Sequence, residues 1–306
     1  MDIAIVGAGA MGQLIGARLA DAGSEVVLID VSEHLIHHIE SEGLRVRTEK
    51  GERSISVRAS PAAEAEGPAK LIILLTKSVH TRAAVDSIRH LASPKTYALT
   101  LQNGLGNEEP LAELVGRERV LMGVTTYPAD QTAPGRVISS EEGRIVLGPL
   151  GDAPHARRAA ESAAAMLMAA GLRTLTHPRV MIPVWEKLIF NTVLNTVSAA
   201  TGLTVGAVKE GQSARKLADA VLEEALAVAH GLDVDVDDHG VRAQIERAYE
   251  EHGSHKTSML ADLESGRETE VDAIGGAVAA QARRLGIRTP HLDVLCDVVR
   301  ARMRLI

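Results

Sequence analysis

Residues 2–21, D-I-A-I-V-G-A-G-A-M-G-Q-L-I-G-A-R-L-A-D, set the terms on which the rest of the chain folds. The first five residues are a short apolar run with the length and branching of a buried strand. Behind them Gly7, Ala8, Gly9, Ala10, Met11 and Gly12 place three glycines in G-x-G-x-x-G spacing, and residues 13–22 read as a helix. Residues 25–29 then form a second apolar strand that ends in Asp30. The three glycines do different things. Gly7 allows a tight turn, Gly9 close backbone approach to a pyrophosphate, and Gly12 packing of helix on strand. Free N–H groups at the helix start and the helix dipole favour the diphosphate's charge. An ordinary flavodoxin-type βα turn is the alternative. The acidic residue at the expected distance, where a ribose hydroxyl needs an acceptor, favours a dinucleotide.

With 306 residues the chain has material for two domains and a sizeable core. A net charge of −7 and only 2% aromatic residues argue against nucleic-acid binding by a basic surface or by base stacking. The single cysteine, Cys296, excludes an internal disulfide framework, and no cysteine cluster suggests a metal. No apolar run has the length of a membrane span, and the N-terminus enters a strand without a charged-then-apolar leader, so the expectation is a cytoplasmic protein.

Working outward, residues 31–41 read as a helix with Ser32 as N-cap. Residues 44–48 and 54–57 flank a hairpin signal at Glu49-Lys50-Gly51-Glu52. The run L-I-I-L-L at 71–75 is apolar on both faces, as a central parallel strand requires, and leads into Thr76-Lys77-Ser78 and a helix to about Leu91. A strand at 96–101 ends at Gln102-Asn103-Gly104-Leu105-Gly106, followed by a helix at 108–115 and a strand at 120–125. Residues 135–139 and 144–147, around Glu141-Glu142-Gly143, read as an antiparallel edge pair. A helix at 155–170 and a strand at 172–176 complete a doubly wound α/β domain over residues 1–177. Its ligands are expected beyond the carboxyl ends of the strands, at Gly7 to Gly12, Lys77 and Asn103. Residues 178–306 form an all-helical domain with helices at 181–200, 212–230, 236–251, 259–263, 271–285 and 291–303.

Chemistry concentrates in that second half. Lys187, Asn191 and Asn195 recur every four residues and share one stripe of a helix otherwise built from Leu188, Ile189, Phe190, Val193 and Leu194. A solvated polar face is the alternative, but asparagine is a mediocre helix former, and two in one stripe suggest a use. A second cluster joins Thr257-Ser258-Met259 to Thr269-Glu270-Val271-Asp272, for which helix caps are the plain explanation.

Taken together, these motifs resemble the ketopantoate reductases (2-dehydropantoate 2-reductases) of the 6-phosphogluconate-dehydrogenase-like superfamily. The resemblance runs the whole length through Gly7-Ala-Gly-Ala-Met-Gly12, Thr76-Lys77, Gln102-Asn103-Gly104, Trp185-x-Lys187-x-x-x-Asn191-x-x-x-Asn195, Thr257-Ser258-Met259 and Thr269-Glu270-Val271-Asp272. It implies a Rossmann-type sheet with an all-helical second domain, a homodimer, no metal, and reduction of a small 2-oxo acid. It further implies Lys187 as general acid, with Glu270 orienting the lysine or a substrate hydroxyl. Asn191 and Asn195 are implied on substrate oxygens, Ser258 on the carboxylate, Asn103 between nicotinamide and substrate, and Lys77 along the cofactor.

One position departs from the family. Biosynthetic members carry an arginine just after the second strand and use NADPH, whereas here the strand ends Asp30-Val31-Ser32-Glu33. A carboxylate there accepts from a ribose 2′-hydroxyl and repels a 2′-phosphate, so NAD is expected, with NADP the alternative through Lys77. The rivals are an NAD-linked hydroxy-acid dehydrogenase of β-hydroxyacid or catabolic type and a non-catalytic dinucleotide-binding regulator. The candidate residues come from both halves of the chain, which places the expected site at the domain junction.

Overall fold

The computed structural model describes residues 1–251 and 253–304. The chain divides into two compact units, residues 1–102 with 107–180, and residues 103–106 with 181 onward.

In the first unit, β1 (Ile3–Val6), α1 (Ala10–Asp21), β2 (Val26–Ile29) and α2 (Glu33–Glu42) open the chain. Short strands β3 (Leu44–Thr48), β4 (Gly51–Ile55) and β5 (Arg58–Ser60) follow. Then come β6 (Leu71–Leu74), α3 (Thr81–Ser87), β7 (Tyr97–Thr100), α4 (Glu108–Val115) and β8 (Val120–Thr125). The unit ends with β9 (Ala129–Ala133), β10 (Arg136–Ser139), β11 (Ile145–Pro149), α5 (Pro154–Ala169) and β12 (Thr174–Thr176). An eight-stranded sheet runs β12-β11-β8-β7-β6-β1-β2-β5, parallel throughout except where β11 meets β8.

Strand periodicity explains why this sheet is apolar on both sides. Ile3, Ile5, Val26, Leu28, Leu71 and Ile73 enter one core, with α1 and α5. The alternating Ala4, Val6, Val27, Ile29, Ile72 and Leu74 enter the other, with α3 and α4. Two buried layers leave the strand ends and connecting loops as the places where polar chemistry is exposed.

The expected antiparallel pairing of residues 135–139 with 144–147 is not formed. β10 instead pairs with β9 and β3 in a second, four-stranded sheet ordered β4-β3-β10-β9, while β11 joins the main sheet. The hairpin turn lies earlier, at Pro134-Gly135, where Gly135 has φ +67° and its carbonyl accepts from Arg45 N–H at 2.7 Å. Glu141 does not turn a hairpin but pins the connection. Lys50 at 2.9 Å and Arg18 of α1 at 2.6 Å bind its carboxylate and hold its pKa down to about 2.

The second unit is helical: α6 (Met181–Asn191), α7 (Val197–Thr201), α8 (Val205–Glu210), α9 (Gln212–Gly231), α10 (Asp238–Glu251), α11 (Ser258–Glu264), α12 (Gly275–Leu285) and α13 (Pro290–Met303). Trp185, Leu188 and Ile189 of α6 and Val221, Leu222 and Ala225 of α9 share its core with residues from α10 to α13. Two sequence expectations change here. The helix read over 181–200 is broken by a π-helical turn, Thr192–Thr196. The helix read from 271 begins only at Gly275, so Thr269 is not its cap; the Thr269 hydroxyl accepts from Val271 N–H and contacts the Met303 sulfur. No helix among the described residues is long and apolar enough to cross a membrane.

The glycine positions make a sharp contrast in stability. A Cβ at Gly12 would stand 1.9 Å from the Gly7 carbonyl oxygen, whereas one at Gly9 would meet nothing within 4 Å. Gly12→Ala is expected to lose at least about 2 kcal/mol in urea unfolding, and Gly9→Ala to stay within about 1 kcal/mol of wild type. Equal losses at the two positions would contradict this packing.

Candidate functional site

The glycine-rich turn after β1 is assembled by three close approaches. Gly7, at φ +99°, lies so near the β6 end that a Cβ would touch Thr76 N at 2.7 Å. Gly12 sits on Gly7, and Gly16 of α1 packs against Leu28 and Ile5. These contacts draw the start of α1 onto the strand ends and leave Gly9, the N-cap residue of α1, exposed. Ala8 is buried, while Ala10 and Met11 are half-buried at the helix start. The open space over Gly9 lies beside N–H groups that begin a helix, the chemistry that suits an anion such as a diphosphate.

Asp30 follows β2 and is bonded back to this turn. One carboxylate oxygen accepts the Ala8 N–H at 2.7 Å and the other the Ser32 N–H at 3.0 Å. Both bonds fix the direction of the carboxylate, which retains two of its about four lone-pair positions for ribose hydroxyls. No basic side chain follows: Val31 is 97% exposed, and Ser32 and Glu33 come next. Lys77 sits half-buried in the β6–α3 connection, one residue beyond the Thr76 backbone on which Gly7 packs.

In the helical unit, Lys187 stands half-buried on α6. Burial pushes its pKa down to about 8, and the Glu270 carboxylate opposes a further fall. Glu270 accepts from the Asn103 carboxamide at 3.5 Å. Asn103 reaches it because residues 103–106 dock on the turn after Glu270. Leu105 N–H donates to the Ala273 carbonyl at 2.9 Å, and Gly104, at φ +85°, lies where a Cβ would meet that oxygen at 2.3 Å. Asp272 in the same turn is held by Arg300 of α13 at 2.6 Å.

Asn191 and Asn195 are 8% and 7% exposed. The π turn changes the register between these positions. Each four-residue step of an α-helix overshoots a turn by about 40°, so an unbroken helix would carry Asn195 about 80° from Lys187. A π turn takes more residues per turn and swings Asn195 back toward the lysine's line. Ser258 is the first residue of α11, exposed, after Thr257, whose hydroxyl caps the helix by accepting Leu260 N–H at 3.4 Å.

The pattern described as ketopantoate reductase PanE/ApbA matches residues 3–152, and that of its C-terminal part matches residues 179–303. The chain belongs to the ketopantoate reductase family. The 2-dehydropantoate 2-reductase of Halobacterium salinarum is 33% identical over 311 residues, covering 99% of each chain. That of Mesorhizobium japonicum is 34% identical, covering 98% of this chain and 97% of the other. Among solved structures, D-mandelate dehydrogenase with NADH and anilino(oxo)acetate has a TM-score of 0.93 at 29% identity, covering 100% of this chain and 99% of that one. A PanE/ApbA family ketopantoate reductase from Ralstonia eutropha has a TM-score of 0.90 at 32% identity, with the same coverage. The chain is thus an NAD(P)-dependent oxidoreductase of ketopantoate reductase type.

Sequence reasoning passed over one part of this arrangement. Gln102, Thr81 and Asn107 form a buried polar network at the carboxyl ends of β6 and β7. Asn107 precedes α4 as a helix cap would, yet its side chain makes no cap bond, because it serves Thr81 and Ser78. Asparagine at an N-cap position masks any other use, so no signal in the sequence separated the two.

The Lys187–Glu270 pairing makes a signed prediction for ketopantoate reductase-type reduction. If protonated Lys187 donates, kcat/KM is flat at lower pH and falls above pH about 8. Removing the opposing carboxylate with Glu270→Gln lowers that limb further. A limb that stays fixed or rises in the variant would contradict the pairing.

Proposed function

We propose that this ketopantoate reductase-family chain reduces a small 2-oxo acid of the 2-dehydropantoate type to its 2-hydroxy acid, with NADH preferred over NADPH and Lys187 as the proton donor. The observation that carries the proposal is the half-buried Lys187 on α6, with Asn191 at the end of the same helix, the buried Asn195 in the π turn that follows, and the Asn103-bound Glu270 carboxylate acting on the lysine. When bound, NAD(P)H supplies the hydride. The chain's own residues do the rest. Gly7, Ala8, Gly9, Ala10, Met11 and Gly12 receive the diphosphate, Asp30 the adenosine ribose, and Lys77 flanks the cofactor. Lys187 holds a proton at Nζ and gives it to the oxo oxygen, and before that its charge stabilises the developing alkoxide. Asn191 and Asn195 donate to substrate oxygens, Ser258 to the carboxylate, Asn103 orients the reacting carbonyl, and Glu270 fixes the lysine.

A second direction has its own support. A lysine near 8 offers a neutral amine at mildly alkaline pH, which suits oxidation of a 2-hydroxy acid, and one solved neighbour is named a D-mandelate dehydrogenase. Assays of a 2-oxo acid and 2-hydroxy acid panel in both directions separate the two. A cytoplasmic homodimer belongs to the same proposal through the family resemblance, and sedimentation equilibrium decides the assembly.

Lys187→Ala is expected to slow single-turnover hydride transfer by roughly 10²–10⁴-fold while leaving NADH affinity within a few-fold. A variant near wild-type rate would remove Lys187 from the role. For the cofactor, kcat/KM with NADH should exceed that with NADPH by on the order of 10–100-fold, each tenfold being about 1.4 kcal/mol. Asp30→Ala should narrow the ratio mainly by weakening NADH, and a wild type that prefers NADPH would sink the assignment.

A further inference from the structure

Residues 103–106 are an excursion. The chain leaves the sheet unit after Gln102, contributes Asn103–Gly106 to the helical unit, and returns at Asn107. The two residues at the neck of this excursion share one partner. Gln102 Nε2 donates to the Thr81 hydroxyl at 2.9 Å, and that hydroxyl donates to the Asn107 carboxamide oxygen at 2.8 Å. Asn107 Nδ2 continues the chain to the Ser78 hydroxyl at 3.2 Å, while Gln102 also holds the Thr76 carbonyl at 2.8 Å and accepts from Thr100 at 2.9 Å.

The network is consistent in its protons. Thr81 accepts one hydrogen bond and gives one, so all donors run in one direction from Gln102 through Thr81 to Asn107, an arrangement in which each bond strengthens the next. Thr81 and Asn107 are both 3% exposed, so water cannot replace either partner cheaply. Across the neck, the tip is fixed by Leu105 N–H on Ala273, and its first residue is the Asn103 that meets Glu270.

We propose that the Thr81 hydroxyl is a positioning group: by clasping Gln102 to Asn107 it sets the exit and return of the excursion, and hence the aim of Asn103. This deepens the proposed reduction and rests on it for the role of Asn103. Thr81 touches neither substrate nor cofactor in this scheme and acts through the loop alone.

The test has two arms. The first, independent of any reaction, is amide hydrogen exchange of Leu105 in the unliganded protein. Thr81→Val should accelerate it roughly tenfold or more, and Thr81→Ser, which keeps the hydroxyl, should leave it within about twofold. The second is a double-mutant cycle in kcat/KM for a 2-oxo acid at saturating NADH. Thr81→Val should cost roughly tenfold in wild-type background and less than about twofold in an Asn103→Ala background, with NADH affinity little changed. Unaltered Leu105 exchange, or equal losses in both backgrounds, would overturn the clasp. Should Thr81→Val not accumulate as folded protein, Asn107→Ala breaks the same bond from the other side and is read in the same way. A wild type inactive on every 2-oxo and 2-hydroxy acid would refute the proposed function, while the exchange arm would still decide the clasp.

Discussion

Taking an ammonium group out of water is costly unless an opposite charge faces it, and Lys187 lives on that balance. Burial pushes its pKa down to about 8, and Glu270 keeps it from falling lower. The rest of the helical unit serves that pairing. Trp185, Leu188 and Ile189 anchor α6 in the core so that the lysine has a fixed origin. The Glu270 turn is tied by Asp272 to Arg300 and by Ala273 to Leu105, so the carboxylate has a fixed direction. A lysine poised near neutral pH can hold a proton and also release it, which an ordinary surface lysine does poorly.

Each unit carries a local departure from regular structure. In the sheet unit, glycines let α1 approach the strand ends more closely than any side chain permits, and the gap over Gly9 is the consequence. In the helical unit, a π turn that includes the buried Asn195 interrupts an otherwise regular helix directly after Asn191. The π turn carries its own strain, since Thr192 and Thr196 within it are fully buried with hydroxyls that find no acceptor. Cost of this kind is commonly retained at functional sites.

Much of this was legible in the sequence, for physical reasons that can be named. Strand period, glycine spacing and the position of Asp30 each report on one short stretch, so the doubly wound sheet could be read directly. The four-residue recurrence of Lys187, Asn191 and Asn195 pointed to one helix face, although the π turn that alters their register leaves no mark in composition. The small sheet was misassigned because β9, Ala-Asp-Gln-Thr-Ala, is polar and partly exposed and has no strand pattern of its own. Its partner β10 pairs in parallel with β3, some ninety residues earlier, and such long-range pairing is invisible to local periodicity. The Gln102–Thr81–Asn107 network was hidden for the same reason: three unremarkable polar residues become a unit only when two strand ends meet.

The most direct test is titration of the Lys187 amine itself, followed by NMR on protein labelled at the lysine Nζ. A pKa of about 8 in the free wild-type protein is expected, in place of the ordinary 10.5. A Lys187 that titrates near 10.5 would mean that burial does not outweigh the Glu270 charge at this amine, and would contradict the account at its centre.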